Sequence, residues 1–243
     1  MVIKLLFLII TLISCSSESG NGLWWKEKAD QMVEKQIEKR GVKDPRVLKV
    51  MRDIPRHLFI PPHLEKIAYN DGPLPIGEGQ TISQPYIVAL MTELLELKGD
   101  EKILEIGTGS GYQAAVLSAL ASEVFSIEIV KNLVDSAAVR LDKLGYKNVT
   151  TRWGDGYKGW SDQAPFDGII VTAAPDKIPQ PLIDQLKTGG RLVVPVGTRH
   201  QELKVITKNE DGSIQSKNII PVRFVPMVHP KDSIPDKGME VDQ

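Results

Sequence analysis

Residues 103–111, ILEIGTGSG, followed by YQAAVL at 112–117, decide the fold of this 243-residue chain. A short β-rich run enters three glycines at alternate positions, and a stretch of helical period leaves them. That is the layout of a buried strand, a tight turn and the helix of a crossover. Gly107, Gly109 and Gly111 lack Cβ atoms, so the backbone can turn sharply there and come close to a ligand. The first N–H groups of the following helix point into the same space. Outward from this loop, residues 124–129, 149–153, 168–172 and 191–196 are further β-rich runs, while 112–120, 133–144 and 179–186 carry helical period. Strands alternating with helices predict a doubly wound, Rossmann-like α/β fold with a mostly parallel sheet covered on both faces. The alternation then stops. Residues 203–207 and 219–228, joined across Asn209-Glu210-Asp211-Gly212, are expected to close the sheet as an antiparallel hairpin.

Toward the N-terminus the texture is helical and then irregular. Trp25, Ala29, Met32, Val33 and Ile37 share one face of a helix that Gly41 ends. Asp44-Pro45 caps a second helix with Val47, Leu48, Val50 and Met51 inward. Pro55, Pro61, Pro62, Pro73 and Pro75, with Gly72, Gly77 and Gly79, crowd residues 53–82 and predict an ordered but irregular stretch. A helix over 85–97 follows, with Leu90, Met91, Leu94 and Leu95 as its buried stripe. One domain is therefore expected over 23–228, a helical cap with an acceptor loop (23–98) and a cofactor-binding sheet (99–228), with 229–243 as a polar tail.

Composition closes off several functions. Thirty basic and 31 acidic side chains give a net charge of −1, which leaves no electrostatic footprint for a nucleic-acid partner. One cysteine excludes an internal disulfide, and four histidines with neither HxH nor HxxxH spacing argue against a metal. The only long apolar run is at the start, MVIKLLFLIITLISCSSESG over 1–20. Lys4, an apolar core from Leu5 to Ile13 and a small, polar end have the layout of a signal peptide over 1–14. Leu-Ile-Ser-Cys resembles the lipobox of bacterial lipoproteins, which makes Cys15 the lipidated residue and 15–22 a flexible tether. An exported, lipid-anchored, periplasmic location is then expected, with the cytoplasm as the alternative if this segment is retained.

The glycine loop points to an adenosine-containing cofactor at the carboxyl edge of the sheet, with Gly107, Thr108, Gly109, Ser110 and Gly111 as its cradle. Glu128 closes the second strand 17 residues after Gly111, where an acid accepts from ribose hydroxyls. The spacing is GxGxG rather than GxGxxG, and Glu105 stands two residues before the first glycine. A carboxylate there repels a pyrophosphate and suits a ligand carrying a sulfonium and an ammonium group, which favours S-adenosyl-L-methionine over a nicotinamide dinucleotide. Asp155-Gly156, after the third strand, is placed to meet the adenine, or is an ordinary turn.

Residues 77–86, GEGQTISQPY, are the natural acceptor loop, presenting Thr81, Ile82 and Ser83 just before a helix whose N-terminus favours an anionic acceptor such as a carboxylate. Such an acceptor is ionised near neutral pH, so no strong general base is required. Ser83 either caps that helix or, with Gln84 as the cap before Pro85, keeps its hydroxyl free. Thr172 ends the fourth strand on the same edge, for substrate contact or for packing. His57 reads as a packed histidine.

GQTISQP at 79–85, LEIGTGSGYQAAVL at 104–117, FDGIIVTAA at 166–174, GGRLVVPVG at 189–197 and PVRFVPM at 221–227 together resemble the protein-L-isoaspartate O-methyltransferase family over about residues 30–228. The resemblance implies methylation, from S-adenosylmethionine, of the free carboxyl group of L-isoaspartyl and D-aspartyl residues in damaged proteins. The ester collapses to a succinimide and so starts repair. It implies that Ser83 is the active-site serine and that Glu105, Gly107, Gly109, Glu128, Asp155 and Gly156 contact the cofactor. It also implies that backbone around Val225 holds a substrate peptide, and a monomer is expected. The chain departs from the family at Tyr86, where the family carries histidine, and at its secretion-like start, since the family is usually cytosolic.

Overall fold

The computed structural model describes residues 24–229. The chain enters through α1 (Trp24–Met32), widens into a π-type turn over Val33–Ile37 and tightens over Glu38–Arg40 before Gly41 closes it. The predicted face is buried, although the helix is regular only as far as Met32. In α2 (Pro45–Asp53) the Asp44 carboxylate accepts from the Arg46 amide, and Val47, Leu48, Val50 and Met51 are all buried. Two 3-10 turns follow, Arg56–Phe59 and Pro62–Ile67.

The stretch read as irregular also contains a hairpin, β1 (Leu74–Gly77) against β2 (Gln80–Ile82). Two strands this short show no periodicity, and Pro75 in a two-stranded ribbon disguises the first. Helix α3 (Pro85–Leu94) is shorter than expected, and its buried side is Val88, Ala89, Met91, Thr92 and the following Leu95. Leu90 and Leu94 are only half-buried, a correction with a polar cause. The Thr92 hydroxyl donates to the Val88 carbonyl at 2.8 Å and accepts from the Gln113 amide at 2.9 Å, so a threonine occupies the inner face without an unpaired polar group.

The sheet is built from β3 (Lys102–Ile106), α4 (Tyr112–Ser118), β4 (Glu123–Glu128), α5 (Lys131–Lys143), β5 (Val149–Trp153), β6 (Phe166–Val171), α6 (Gln180–Asp184), β7 (Leu186–Val196), β8 (Gln201–Lys208) and β9 (Ile214–Val222). Its order is β5-β4-β3-β6-β7-β8-β9, with the first five parallel and the last two antiparallel, as the doubly wound reading predicts. Residues alternate between two cores. Ile103, Val124, Ile170 and Val193 meet α1 to α4, while Leu104, Phe125, Ile169, Leu192 and Val194 pack with Phe166, Trp160 and Leu182 of α6 on the other face.

The last strand differs from expectation. It begins at Ile214, where it pairs with Lys208, and it ends at Val222 rather than 228. Residues 223–228 leave the sheet because stronger partners lie across its edge. The Gln201 amide brackets the Phe224 backbone, Ala174 donates to the Val225 carbonyl at 2.8 Å, and Met227 donates to Ala174 at 2.8 Å. His229, expected to begin the tail, stacks on Tyr157 at 3.9 Å. The expected signal peptide with Cys15 and the remainder of the tail lie outside the described residues.

Candidate active site

Strand order reverses at β3, whose neighbours β4 and β6 lead to opposite ends of the sheet, and ligands settle beyond the carboxyl ends of strands at such a point. A solvent-open cleft lies there. It brings together Thr81, Ile82, Ser83, Gly107, Thr108, Gly109, Ser110, Glu128, Gly156, Thr172 and Val225. The antiparallel hairpin forms one wall, the glycine loop the floor, and residues 225–228 the opposite wall.

Packing within the floor itself demands glycine at two positions. A Cβ on Gly107, whose φ is +99°, would stand 2.3 Å from the Thr172 hydroxyl oxygen, and one on Gly156 would stand 2.4 Å from an Ile106 methyl. Thr172 uses that hydroxyl on the Ile106 and Gly107 carbonyls, at 3.0 and 2.7 Å, so it pins the glycine loop as well as facing the cleft. Gly111 does not line the cleft. It starts α4, and its amide bonds to Thr108 at 2.7 Å.

The acids divide into two depths. Glu128 lines the cleft and its carboxylate accepts from the amides of Gly109 (2.8 Å) and Val130 (3.0 Å). Burial pushes its pKa up, and those amides oppose the rise. A carboxylate has about four acceptor positions, so further hydroxyls can be received. Glu105 lies below the floor with no exposure and does not line the cleft. It pairs in register with Ser126, whose hydroxyl donates to it; Ser126 and the Thr108 hydroxyl lie 2.6 Å apart. Its other oxygen has no partner among the described residues, and desolvation first, with the charge of Glu128 adding, raises its pKa to about 8. Asp155 also stays outside the lining, capping the turn at Gly156–Lys158 through the Tyr157 amide.

On the acceptor side the capping question is answered by the residue that caps. Gln84 occupies the N-cap of α3 without a side-chain cap bond and gives its amide to Asp71. The Ser83 hydroxyl makes no hydrogen bond among the described residues, so it is available to the cleft. Tyr86 packs beneath the Arg40 guanidinium at 5.1 Å, and Arg40 pairs with Asp71. His57 is packed as expected, bonded to the Tyr69 hydroxyl at 2.8 Å between Trp24 and Trp25, with its pKa lowered by burial.

Sequence reading missed two residues. Ser126 was detectable, since Glu105, Ser126 and Glu128 are polar at inward positions of two adjacent buried strands. Arg56 was not, because nothing local in a proline-rich stretch marks a guanidinium for burial. Its Nε donates to the Ala68 carbonyl and one terminal nitrogen to the Ser83 carbonyl, both at 2.8 Å.

The model of the protein-L-isoaspartate(D-aspartate) O-methyltransferase family matches residues 27–232. Protein-L-isoaspartate O-methyltransferase 2 of Shewanella sediminis is 55% identical over 232 residues, covering 92% of this chain and 95% of that one. Protein-L-isoaspartate O-methyltransferase 1 of Syntrophobacter fumaroxidans is 58% identical over 205 residues, covering 84% and 95%. A solved protein-L-isoaspartate O-methyltransferase superposes with a TM-score of 0.75 at 31% identity, over 84% of this chain and 66% of that one. A Plasmodium falciparum structure described as such an enzyme, in complex with S-adenosyl-L-homocysteine, gives 0.72 at 26% identity over 82% and 98%.

Proposed function

The chain belongs to the protein-L-isoaspartate(D-aspartate) O-methyltransferase family, and from that premise we propose how its own residues perform the reaction. It is an S-adenosylmethionine-dependent enzyme that methylates the free carboxyl group of L-isoaspartyl and D-aspartyl residues in damaged proteins, the step that starts their repair. The observation that carries the reading is the cleft itself. One wall offers the unbonded Ser83 hydroxyl at a helix N-terminus, and the floor offers a glycine cradle edged by Glu128.

The cradle fits the cofactor, because the backbone of Gly107 to Ser110 lines the cleft and Glu128 at its edge keeps acceptor positions for hydroxyls. In this reading Gly107 to Ser110 and Gly156 bound its nucleoside and Glu128 accepts from the ribose hydroxyls. Bound S-adenosylmethionine supplies a methyl group activated by a sulfonium sulfur. Glu105 supports the loop from beneath through its hydrogen bond with Ser126, which adjoins Thr108, and Asp155 acts by fixing the turn that carries Gly156. Ser83, with Thr81, Ile82 and the backbone at Val225, orients the acceptor carboxylate. Alignment accounts for the acceleration, since a reacting pair held in line gains the several kcal/mol otherwise lost to encounter. A carboxylate with a reference pKa of about 3.9 is already ionised, so no side chain has to remove a proton.

We read residues 1–14 as a signal peptide and Cys15 as lipidated, placing the enzyme outside the cytoplasm on a membrane. Support comes from the charged, apolar and Leu-Ile-Ser-Cys order at the start of the sequence. Loss of membrane association in Cys15→Ala is the expected result, and fatty-acid labelling that persists in that variant refutes it. A monomer is the working state in this reading. The activity test uses methyl-labelled cofactor and two peptides differing only in isoaspartyl or aspartyl linkage. Base-labile label on the isoaspartyl peptide alone is expected; label on neither, despite cofactor binding, overturns the acceptor assignment.

A further inference from the structure

Arg56 is a cation with no exposure at all. None of the ion pairs among the described residues includes it. Among the described residues it donates to two carbonyls, Ala68 and Ser83, it interacts with the polar ends of Tyr112 and Tyr69, and its guanidinium carbon sits 4.9 Å from the ring centroid of Tyr112. The second terminal nitrogen has no hydrogen-bond partner among the described residues. Burial draws its pKa below the ordinary guanidinium value, yet an arginine stays charged in proteins. Taking a charge out of water without a counter-ion costs several kcal/mol, so fold stability does not account for this one.

Its position does. Ser83 and Tyr112 both line the cleft, so the guanidinium lies one residue behind the acceptor wall. The buried carboxylates Glu105 and Glu128 belong to the glycine loop instead. We propose that Arg56 is the positioning residue of the acceptor site: its buried guanidinium fixes the Ser83 backbone and supplies the positive potential that selects an ionised carboxyl group at the Ser83 wall. The counter-ion missing from the folded chain is then the substrate's own carboxylate. The low dielectric around the guanidinium lengthens the reach of its field, so direct contact is not needed. Tyr112, which lines the cleft, holds the guanidinium against its ring at 4.9 Å.

This inference rests on the acceptor being an isoaspartyl carboxylate, and the test separates the two claims. Peptide binding is measured on protein saturated with S-adenosylhomocysteine, comparing an isoaspartyl peptide with its isoasparaginyl twin, which is neutral and nearly the same shape. The wild type is expected to prefer the anion by about tenfold or more. Arg56→Gln keeps a donor without the charge, and Arg56→Met keeps neither; both are expected to bring the preference close to one with cofactor affinity within about twofold. Arg56→Lys keeps the charge and is expected to retain the preference. An unchanged preference in Arg56→Gln overturns the proposal. Failure of both neutral variants to fold, with Arg56→Lys folded, also overturns it by making the charge structural. Absence of wild-type methylation of the isoaspartyl peptide overturns the functional reading and this inference with it, whereas normal wild-type turnover with unchanged preference in the variants overturns this inference alone.

Discussion

The two halves of the cleft are built on opposite electrostatic plans. The cofactor half places Glu105 and Glu128 under and beside a glycine loop, within regular strands whose backbone and side-chain donors hold them. The acceptor half places Arg56 behind an irregular loop and leaves a hydroxyl, Ser83, without a protein partner. In the proposed reaction a positively charged donor and a negatively charged acceptor have to meet, and Glu128 on one side and Arg56 on the other each stand near the partner of opposite sign. Preset charges need no reorganisation when the reactants arrive, which is the economical way to favour a transfer between them.

The strongest blow to the cofactor half is steric. Gly107→Ala puts a methyl group into the Thr172 hydroxyl at a backbone angle that L-residues avoid, and about 100-fold weaker cofactor binding is expected by calorimetry. Near-normal binding shows that the loop does not need its cradle. Glu128→Ala removes a charged acceptor and the anchor of the Gly109 amide; a loss of about 1.5–3 kcal/mol, or roughly 10- to 100-fold in Kd, is expected. An unchanged Kd removes Glu128 from the site. Ser83→Ala tests the other half and is expected to lower kcat about tenfold while leaving cofactor Kd in place. A change in Kd instead would erase the division between halves.

The smallest effect sharpens the comparison through pH. Burial raises the Glu105 pKa to about 8, so the ligand-free fold favours its protonated form. That stability is fully present below the ordinary carboxylate range and is lost as pH rises through 8. Glu105→Gln is expected to make the fall in Tm between pH 5 and pH 9 smaller by roughly 3–6 °C. Parallel curves would mean that the acid is ionised throughout and that its burial carries no stability cost.

The same division explains what the sequence reveals. Ile103 to Gly111 announces its strand and turn by local pattern, because a parallel strand buried on both faces must be apolar along its length and the turn must lack side chains. Glu128 follows by spacing. The acceptor half is assembled by contacts between distant residues. Arg56 reaches Ser83 across 27 positions and Ala68 across 12, while Glu78 meets Asn132 across 54. No window of neighbouring residues contains such information, so the buried guanidinium stays invisible there, while the local hairpin at Leu74–Ile82 is hidden by the shortness of its strands and by Pro75. The error in the last strand has a similar origin. Residues 223–228 are β-rich in composition, and only the Gln201 amide and Ala174, supplied from elsewhere, draw them off the sheet.

The wall formed by Val225 to Val228 also orders the enzyme's appearance in time. Synthesis runs from the N-terminus, and domains fold as their sequence becomes available. The glycine loop and the β1-β2 hairpin come earlier in the chain, but the cleft lacks its second wall until β8 is in place and its Gln201 holds Phe224. The site is therefore finished by nearly the last of the described residues. A chain interrupted before that clamp keeps most of its sheet and has no closed place in which to align a donor and an acceptor.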